Sequence, residues 1–227
     1  MFICEKCKRE IGNNTAEKII FVEGKDDRNF LKEYLKYLDI ENVEISDVGG
    51  EGNFKIEIPR KLIESNRHFS KIGIISDADD NSPQKKFEEL LKILNEINLL
   101  DEIKTNDIKL EFPKSLGEFS NNELSIGIFI MPNNNDKGAI EDLILKTIEG
   151  DKVMDCVKEF INCVDKKYTT NKETADFNKK QSKRKIQIYL ATKTELANSI
   201  DTGAQKGHFN FESEKLDKLK NFLLAFK

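Results

Sequence analysis

The sequence has no apolar run approaching the roughly 18 residues that a membrane-spanning helix needs. Its first residues lack the charged-then-apolar pattern of an export signal. Neither a membrane protein nor an exported one is therefore expected. Cysteine is scarce, with four in 227 residues. That is too few for a disulfide framework in a chain this long, and a reducing cytoplasm is the expected setting. Internal repeats and low-complexity tracts are absent. Positive charge is not in excess either, since the formal net charge is −4. Constitutive nucleic-acid binders are usually basic, so the balance counts mildly against that partner. It does not exclude it, because an acidic metal site lowers the net charge and a bound cation partly reverses the local field. With 38% hydrophobic and 34% charged residues, the composition fits one soluble globular domain, with room for a small appendage.

The stretch that organises the rest is Lys18-Ile19-Ile20-Phe21-Val22-Glu23-Gly24-Lys25-Asp26-Asp27. Its apolar run is short and β-rich and reads as a strand buried on both faces. Phe30, Leu31, Tyr34, Leu35 and Leu38 follow at helical spacing. Glu23 therefore stands where a strand ends and a helix begins, the edge at which open α/β sheets bind ligands. Val43–Val48 alternates like a strand and runs into Gly49-Gly50-Glu51-Gly52-Asn53. Three glycines in four residues allow close backbone approach. The Gly-Lys-Ser/Thr ending of a phosphate loop is missing, so ATP hydrolysis by that route is excluded. Phe54, Ile58, Leu62 and Ile63 predict a helix, with Pro59 in its interior.

A second buried strand, 71–76, ends in Asp77-Ala78-Asp79-Asp80, and Ser82-Pro83 caps the helix behind it. Acids at alternate positions leaving a strand can both reach one cation. Residues 99–124 read as an insertion, a β-hairpin or a short extra strand at a sheet edge. A fourth strand over 126–131 ends in Pro132 and leads to a helix whose first turn holds Glu141 and Asp142. Acids there favour the helix dipole in any case. Residues 151–227 are mostly helical and include the basic stretch 178–185.

The expected organisation is an N-terminal extension over 1–15, an α/β core over 16–150, and a helical C-terminal extension over 151–227 packed on it. The fold class is α/β: a parallel-rich sheet of about four core strands between helices. In the extension, Cys4 and Cys7 form half of a zinc knuckle. The rest of the chain offers no matching pair, because Cys156 and Cys163 are seven apart and His68 and His208 stand alone. An incidental pair is expected there rather than zinc.

Acids at strand ends often cap helices or lie in solvent, and for Glu23 alone that account is as good as any. Asp77 and Asp79 at the same edge change the balance, since clustered acids repel unless a cation joins them. Strand-Glu-Gly followed by strand-Asp-x-Asp in an alternating β/α chain resembles the Toprim domain of topoisomerases, bacterial primases and OLD-family nucleases. Met131-Pro132-Asn133 with Gly138, Glu141-Asp142-Leu143, the helix from Ser182-Lys183 to Leu190-Ala191, and the terminal Phe222-Leu223-Leu224-x-Phe226 resemble a narrower set of small Toprim-like proteins related to the OLD nuclease domain.

The resemblance implies a Rossmann-like core and a metal-dependent nuclease. Glu23 would be metal ligand or general acid/base, and Asp77 and Asp79 metal ligands. Asp27, and Glu141 or Asp142, would supply further acids for a second metal. Lys183 would be the catalytic lysine, with Lys180 and Lys185 competing for that role. Asp26 and Asp80 read as capping or solvated residues. The implied cofactor is magnesium (Mg2+), replaceable by manganese (Mn2+), and the implied partners are DNA or RNA and an ATPase supplied in trans, in a defence or repair role. A homodimer is compatible with the chain but nothing in the residues requires one. Two ions roughly 3.5–4 Å apart activate water and stabilise the leaving oxygen in such chemistry. Two other readings stand beside it. A non-catalytic module that binds metal or nucleotide shares the acids. Primase-like nucleotidyl transfer does too, but it usually adds a zinc module and a basic template groove.

Overall fold

In a computed structural model, residues 17–64, 69–101, 103, 108, 110–168, 177 and 180–227 are described. Cys4, Cys7 and His68 lie outside them. Four strands, β1 (Lys18–Val22), β2 (Val43–Asp47), β3 (Lys71–Asp77) and β4 (Ser125–Met131), form one all-parallel sheet in the order β2-β1-β3-β4. Helices α1 (Lys25–Tyr37), α2 (Phe54–Glu64) and α3 (Pro83–Asn98) connect them, and α4 (Ile140–Thr147) follows β4. The fold is a Rossmann-like α/β sandwich.

Strand alternation sorts the core into two layers. Ile20, Val22, Ile75, Phe129 and Met131 point to one face and pack with Phe30, Leu31, Tyr34 and Leu35 of α1 and with Leu143 and Ile144 of α4. Ile19, Phe21, Ile72, Ile74, Ile126, Ile128 and Ile130 point to the other and pack with Phe54 and Ile58 of α2 and Phe87, Leu90 and Leu94 of α3. Both faces are covered, which is why these strands read as continuous apolar runs. Right-handed crossovers explain the sorting. The chain moves outward from β1 to β2 through α1, then back across β1 to β3 through α2, and the reversal puts α1 and α2 on opposite faces. The reversal leaves a crevice between the carboxyl ends of β1 and β3. Glu23 and Asp77 stand there.

Helices α5 (Met154–Asp165), α6 (Gln181–Ala191), α7 (Ile200–Gln205) and α8 (Asp217–Leu224) follow. Val157, Ile186, Tyr189, Ala204 and Phe222 share the α1 and α4 core layer, so the described residues of 151–227 pack into that layer. The hairpin or extra strand expected over 99–124 falls partly outside the described residues; among those described, Asp101 and Ile103 are helical and 110–124 forms no regular strand. Near its end Phe119 makes a single antiparallel bridge to Gly127, and Gly117 and Ser120 donate to Ile128 and Ile126. Pro113 withholds an amide, and Gly117 turns the chain at φ +78°. The segment covers the β4 edge. Among the described residues, no helix is long and apolar enough to cross a membrane.

Candidate metal centre

The carboxyl edge of the sheet gathers most of the acids singled out above. Glu23 leaves β1 and crosses to β3. Its Oε1 accepts from the Ser76 hydroxyl and, at 2.9 Å, from the Asp77 amide. Burial pushes the Glu23 carboxyl up, and those two donors partly hold it down. Asp27 sits in the first turn of α1, where its Oδ2 accepts from the Gly24 amide at 3.0 Å. It is 7% exposed. Burial, then the charges of Glu141 and Glu23, push it up to about 7.

Asp77, the last residue of β3, accepts at Oδ1 from the Ile140 amide at 3.2 Å. It lies well above the usual carboxylate range, through burial first and then the charges of Asp27, Glu23, Glu141 and Asp79. Glu141 is also raised by burial, against the pull of its own amide and of Lys183. Asp142 has a different task. Its Oδ2 accepts from the Ala139 amide at 2.8 Å, closing the α4 N-terminus, and its Oδ1 accepts from the Ser182 hydroxyl at 2.6 Å. Asp79 is exposed, in a left-handed conformation at φ +48°, and its backbone pairs with Gly138 in both directions at 2.9 Å. Of the four neighbouring charges on Asp77 it is the weakest.

Two helix N-termini converge on this edge, those of α1 and α4, and each presents amides that a carboxylate accepts. Gly138 makes the approach of α4 possible. Its φ is +127°, and a Cβ there would meet Asp142 Oδ2 at 2.5 Å. Gly138→Ala is expected to displace Asp142 and lower stability by about 1–3 kcal/mol. An unchanged midpoint in urea denaturation would refute that account.

Lys183 lies on α6, across from these acids. Its Nζ is 2.8 Å from Asp26 Oδ2 and 3.9 Å from Glu141 Oε1. The hydrogen bond to Asp26 raises it further above its ordinary range, helped by the charges of Asp26, Glu141 and Asp27. Lys180 and Lys185 make no such contact among the described residues.

The residues are suited to a hard divalent cation in charge and donor type. Four buried or half-buried carboxylates gather at this edge, and burial pushes all of them toward protonation. Glu23 Oε1, Asp27 Oδ2 and Asp77 Oδ1 are tied to protein donors. The partner oxygens Glu23 Oε2 and Asp77 Oδ2 accept from no donor among the described residues. The geometry is looser than a closed cage. Among the described residues, no three His, Cys, Asp or Glu side chains are arranged to hold a metal ion directly. Alternation gives the reason. Glu23 continues the Ile19 and Phe21 side of β1, whereas Asp77 continues the Ile75 side of β3 toward α1 and α4. The acids straddle the sheet edge. Magnesium, which keeps several waters, tolerates that spacing better than a metal needing a full protein cage.

Several residues at this edge escaped the sequence reading. Ser76 and Ser182 each donate to a site acid. Asp26, read as a capping or solvated residue, holds Lys183. Lys86 of α3 is 1% exposed and pairs at 2.6 Å with Glu51 of the glycine-rich turn. That turn is joined to Glu23 through a Gly50 amide hydrogen bond to its carbonyl. Lys86 carried a signal, because it falls on the inner stripe of its helix with Pro83, Phe87 and Leu90. A charged residue on an apolar stripe calls for a partner.

Comparison with known proteins gives a family and a solved structure that is similar. No curated protein matches. The C-terminal region of the Burkholderia pseudomallei OLD protein is similar in structure at 16% identity, over 93% of this chain and 99% of that one, with a TM-score of 0.44. The family model described as "Protein of unknown function (DUF3226)" matches residues 17–226, and the chain belongs to that family.

Proposed function

We propose that this chain is a magnesium-dependent nuclease of Toprim type, acting on the phosphodiester bonds of DNA or RNA. One observation carries the reading: Glu23, Asp27, Asp77 and Glu141 gather at the carboxyl edge of a parallel sheet, around its switch point, where burial pushes each carboxyl up. Acids assembled there without a basic partner for each cost stability, and a divalent cation supplies what they lack.

Glu23, Asp27, Asp77 and Glu141 would hold magnesium or manganese directly or through water, with Asp79 at the outer rim. Asp142 serves chiefly to close α4. A metal bound there polarises the phosphate and lowers the pKa of bound water. The tie of Glu23 to Ser76 and Asp77 fixes its direction before substrate arrives. Lys183 stays charged beside the carboxylates, so it acts as a cation that stabilises developing negative charge and not as a general base.

The test is incubation of purified protein with plasmid, single-stranded DNA and RNA, in magnesium or manganese. Glu23→Gln and Asp77→Asn are each expected to lower the cleavage rate by about 100-fold or more, within the range of a lost acid/base or metal-binding group. Cleavage that persists in both variants sinks the assignment. A second reading, a non-catalytic metal-binding module, is favoured by the loose arrangement of the acids. Metal-dependent stabilisation without cleavage of any substrate, with or without an ATPase partner, selects it.

A further inference from the structure

We propose that α1 and the outer strand β2 form the track along which a nucleic-acid phosphate backbone reaches the acidic crevice. The proposal rests on the nuclease reading for what lies at the end of the track, but not for the charge that recognises the ligand.

Lys25, Lys32 and Lys36 recur at helical spacing on one exposed face of α1, with Arg28 beside them. The three lysines make no hydrogen bond or ion pair among the described residues, and Arg28 is bound to Asp47 at 2.5 Å. Three cations thus stand in line on one exposed helix face with no acid partner among the described residues, in a chain of net charge −4. Lys25 also sits in the first helical turn, where the helix dipole disfavours a cation. Helix stability therefore gives no reason for it. It lies two residues from Glu23, so the row begins at the crevice and runs away from it for about 16 Å, at 1.5 Å per residue.

The far end of the row meets a cavity of about 220 Å³ between α1 and β2. Lys32 and Lys36 stand on its wall, and Leu35, Ile40, Val43 and Ile45 provide an apolar surface. The outer side of β2 is an open sheet edge, since β2 pairs with β1 alone among the described strands. Cations in line on an exposed helix suit the regularly spaced charges of a phosphate backbone. Glu33 flanks the row, and Asp39 and Glu41 line the end of the cavity. Asp39 and Glu41 balance Lys32 and Lys36 at the cavity, so the cationic surface is the α1 face itself, from Lys25 to Lys36.

The experiment uses the full chain carrying Asp77→Asn, so that binding is read without cleavage. Binding of labelled single-stranded DNA, duplex DNA and single-stranded RNA is followed by anisotropy over a salt series. Lys25→Gln/Lys32→Gln/Lys36→Gln is expected to weaken binding about tenfold or more at low salt. It should also flatten the log–log salt slope by about 2, since each contact to a single strand contributes about 0.7. Lys55→Gln/Lys92→Gln/Lys158→Gln, an equal charge change on three other helices, should leave the slope alone. The proposal falls if the two triple variants behave alike, if none of the three probes binds, or if polyglutamate binds with the same dependence on the α1 lysines. The last result would assign the face to an acidic protein. Binding that depends on α1, in a protein that cleaves nothing, would overturn the nuclease reading and keep the track. Unimpaired cleavage and KM in the α1 variant would do the reverse.

Discussion

Asp77→Asn is expected to stabilise the metal-free protein at pH 8 while abolishing its response to magnesium. The two effects have one origin. Asp77 and Asp27 are buried acids whose neighbours are other acids, and both are pushed up, Asp27 to about 7. An acid whose pKa is raised on folding binds more protons folded than unfolded across the interval between the two values. Its favourable contribution is complete below its unfolded pKa near 4 and is lost as pH rises through about 7. The metal-free protein should therefore become less stable from pH 5 to pH 8. For Asp27 the full shift corresponds to about 4 kcal/mol, and sharing of protons among coupled acids reduces this to about 2. In a domain of this size that is about 4–8 °C in Tm.

The asparagine at 77 removes one charge from the middle of the cluster and keeps an oxygen for the Ile140 amide. Tm at pH 8 should rise by about 5 °C, and the slope between pH 5 and 8 should shrink. Magnesium acts on the wild type in the same direction, because it binds the ionised acids and releases protons. Thermal unfolding at pH 5 and pH 8, with chelator or magnesium, measures all of this. A wild-type Tm that does not fall between pH 5 and 8 in chelator defeats the argument, as does a variant less stable than wild type at pH 8.

The α/β class follows from a pattern that any strand buried on both faces must show. The runs at 18–22, 71–76 and 126–131 are short, apolar and each followed by a helical stripe. The Ser82-Pro83 cap is equally local, and Ser82 Oγ does accept from the Lys85 amide. Acids leaving successive parallel strands necessarily share one edge, which brings Glu23 and Asp77 together without knowledge of loop geometry. What escaped was set by long-range contacts. Asp26 and Lys183 are 157 residues apart in the chain. Nothing local distinguishes Glu141 from Asp142, yet one faces the acids and the other ties down a helix. The parity that sends Glu23 and Asp77 to opposite sides of the sheet is legible in principle, because Ile19, Phe21 and Glu23 alternate with Ile20 and Val22. Beyond the strand end only the fold decides whether that parity continues. The one bridge that Phe119 makes to Gly127 was illegible for a related reason: it depends on a contact with β4 and not on local alternation.

Phe226→Ala is expected to give the largest loss of stability of any single change considered, about 3–5 kcal/mol, with a fall in Tm of about 8 °C or more. Phe226 lies just past the end of α8. Here it is fully buried. Its ring lies over Gly73 in the middle of β3 and packs with Phe119 and Phe222. The Lys18 ammonium donates to its carbonyl at 2.8 Å, and Lys71 donates to the carbonyl of Ala225. Gly73 is the complement of the ring. A Cβ there would stand 2.8 Å from Phe226 Cζ and 3.3 Å from Ile20 Cγ1, so Gly73→Ala should cost about 1–3 kcal/mol by overpacking. The pair makes the argument specific. If the ring fills the space left by the missing Cβ, Phe226→Leu should lessen the cost of Gly73→Ala, and the double variant should lose less than the sum of the single ones. Urea denaturation of the four proteins measures the coupling. Strict additivity would show that Gly73 is required for some other reason than the ring of Phe226, and a Phe226→Ala protein as stable as wild type would remove the C-terminus from the core altogether.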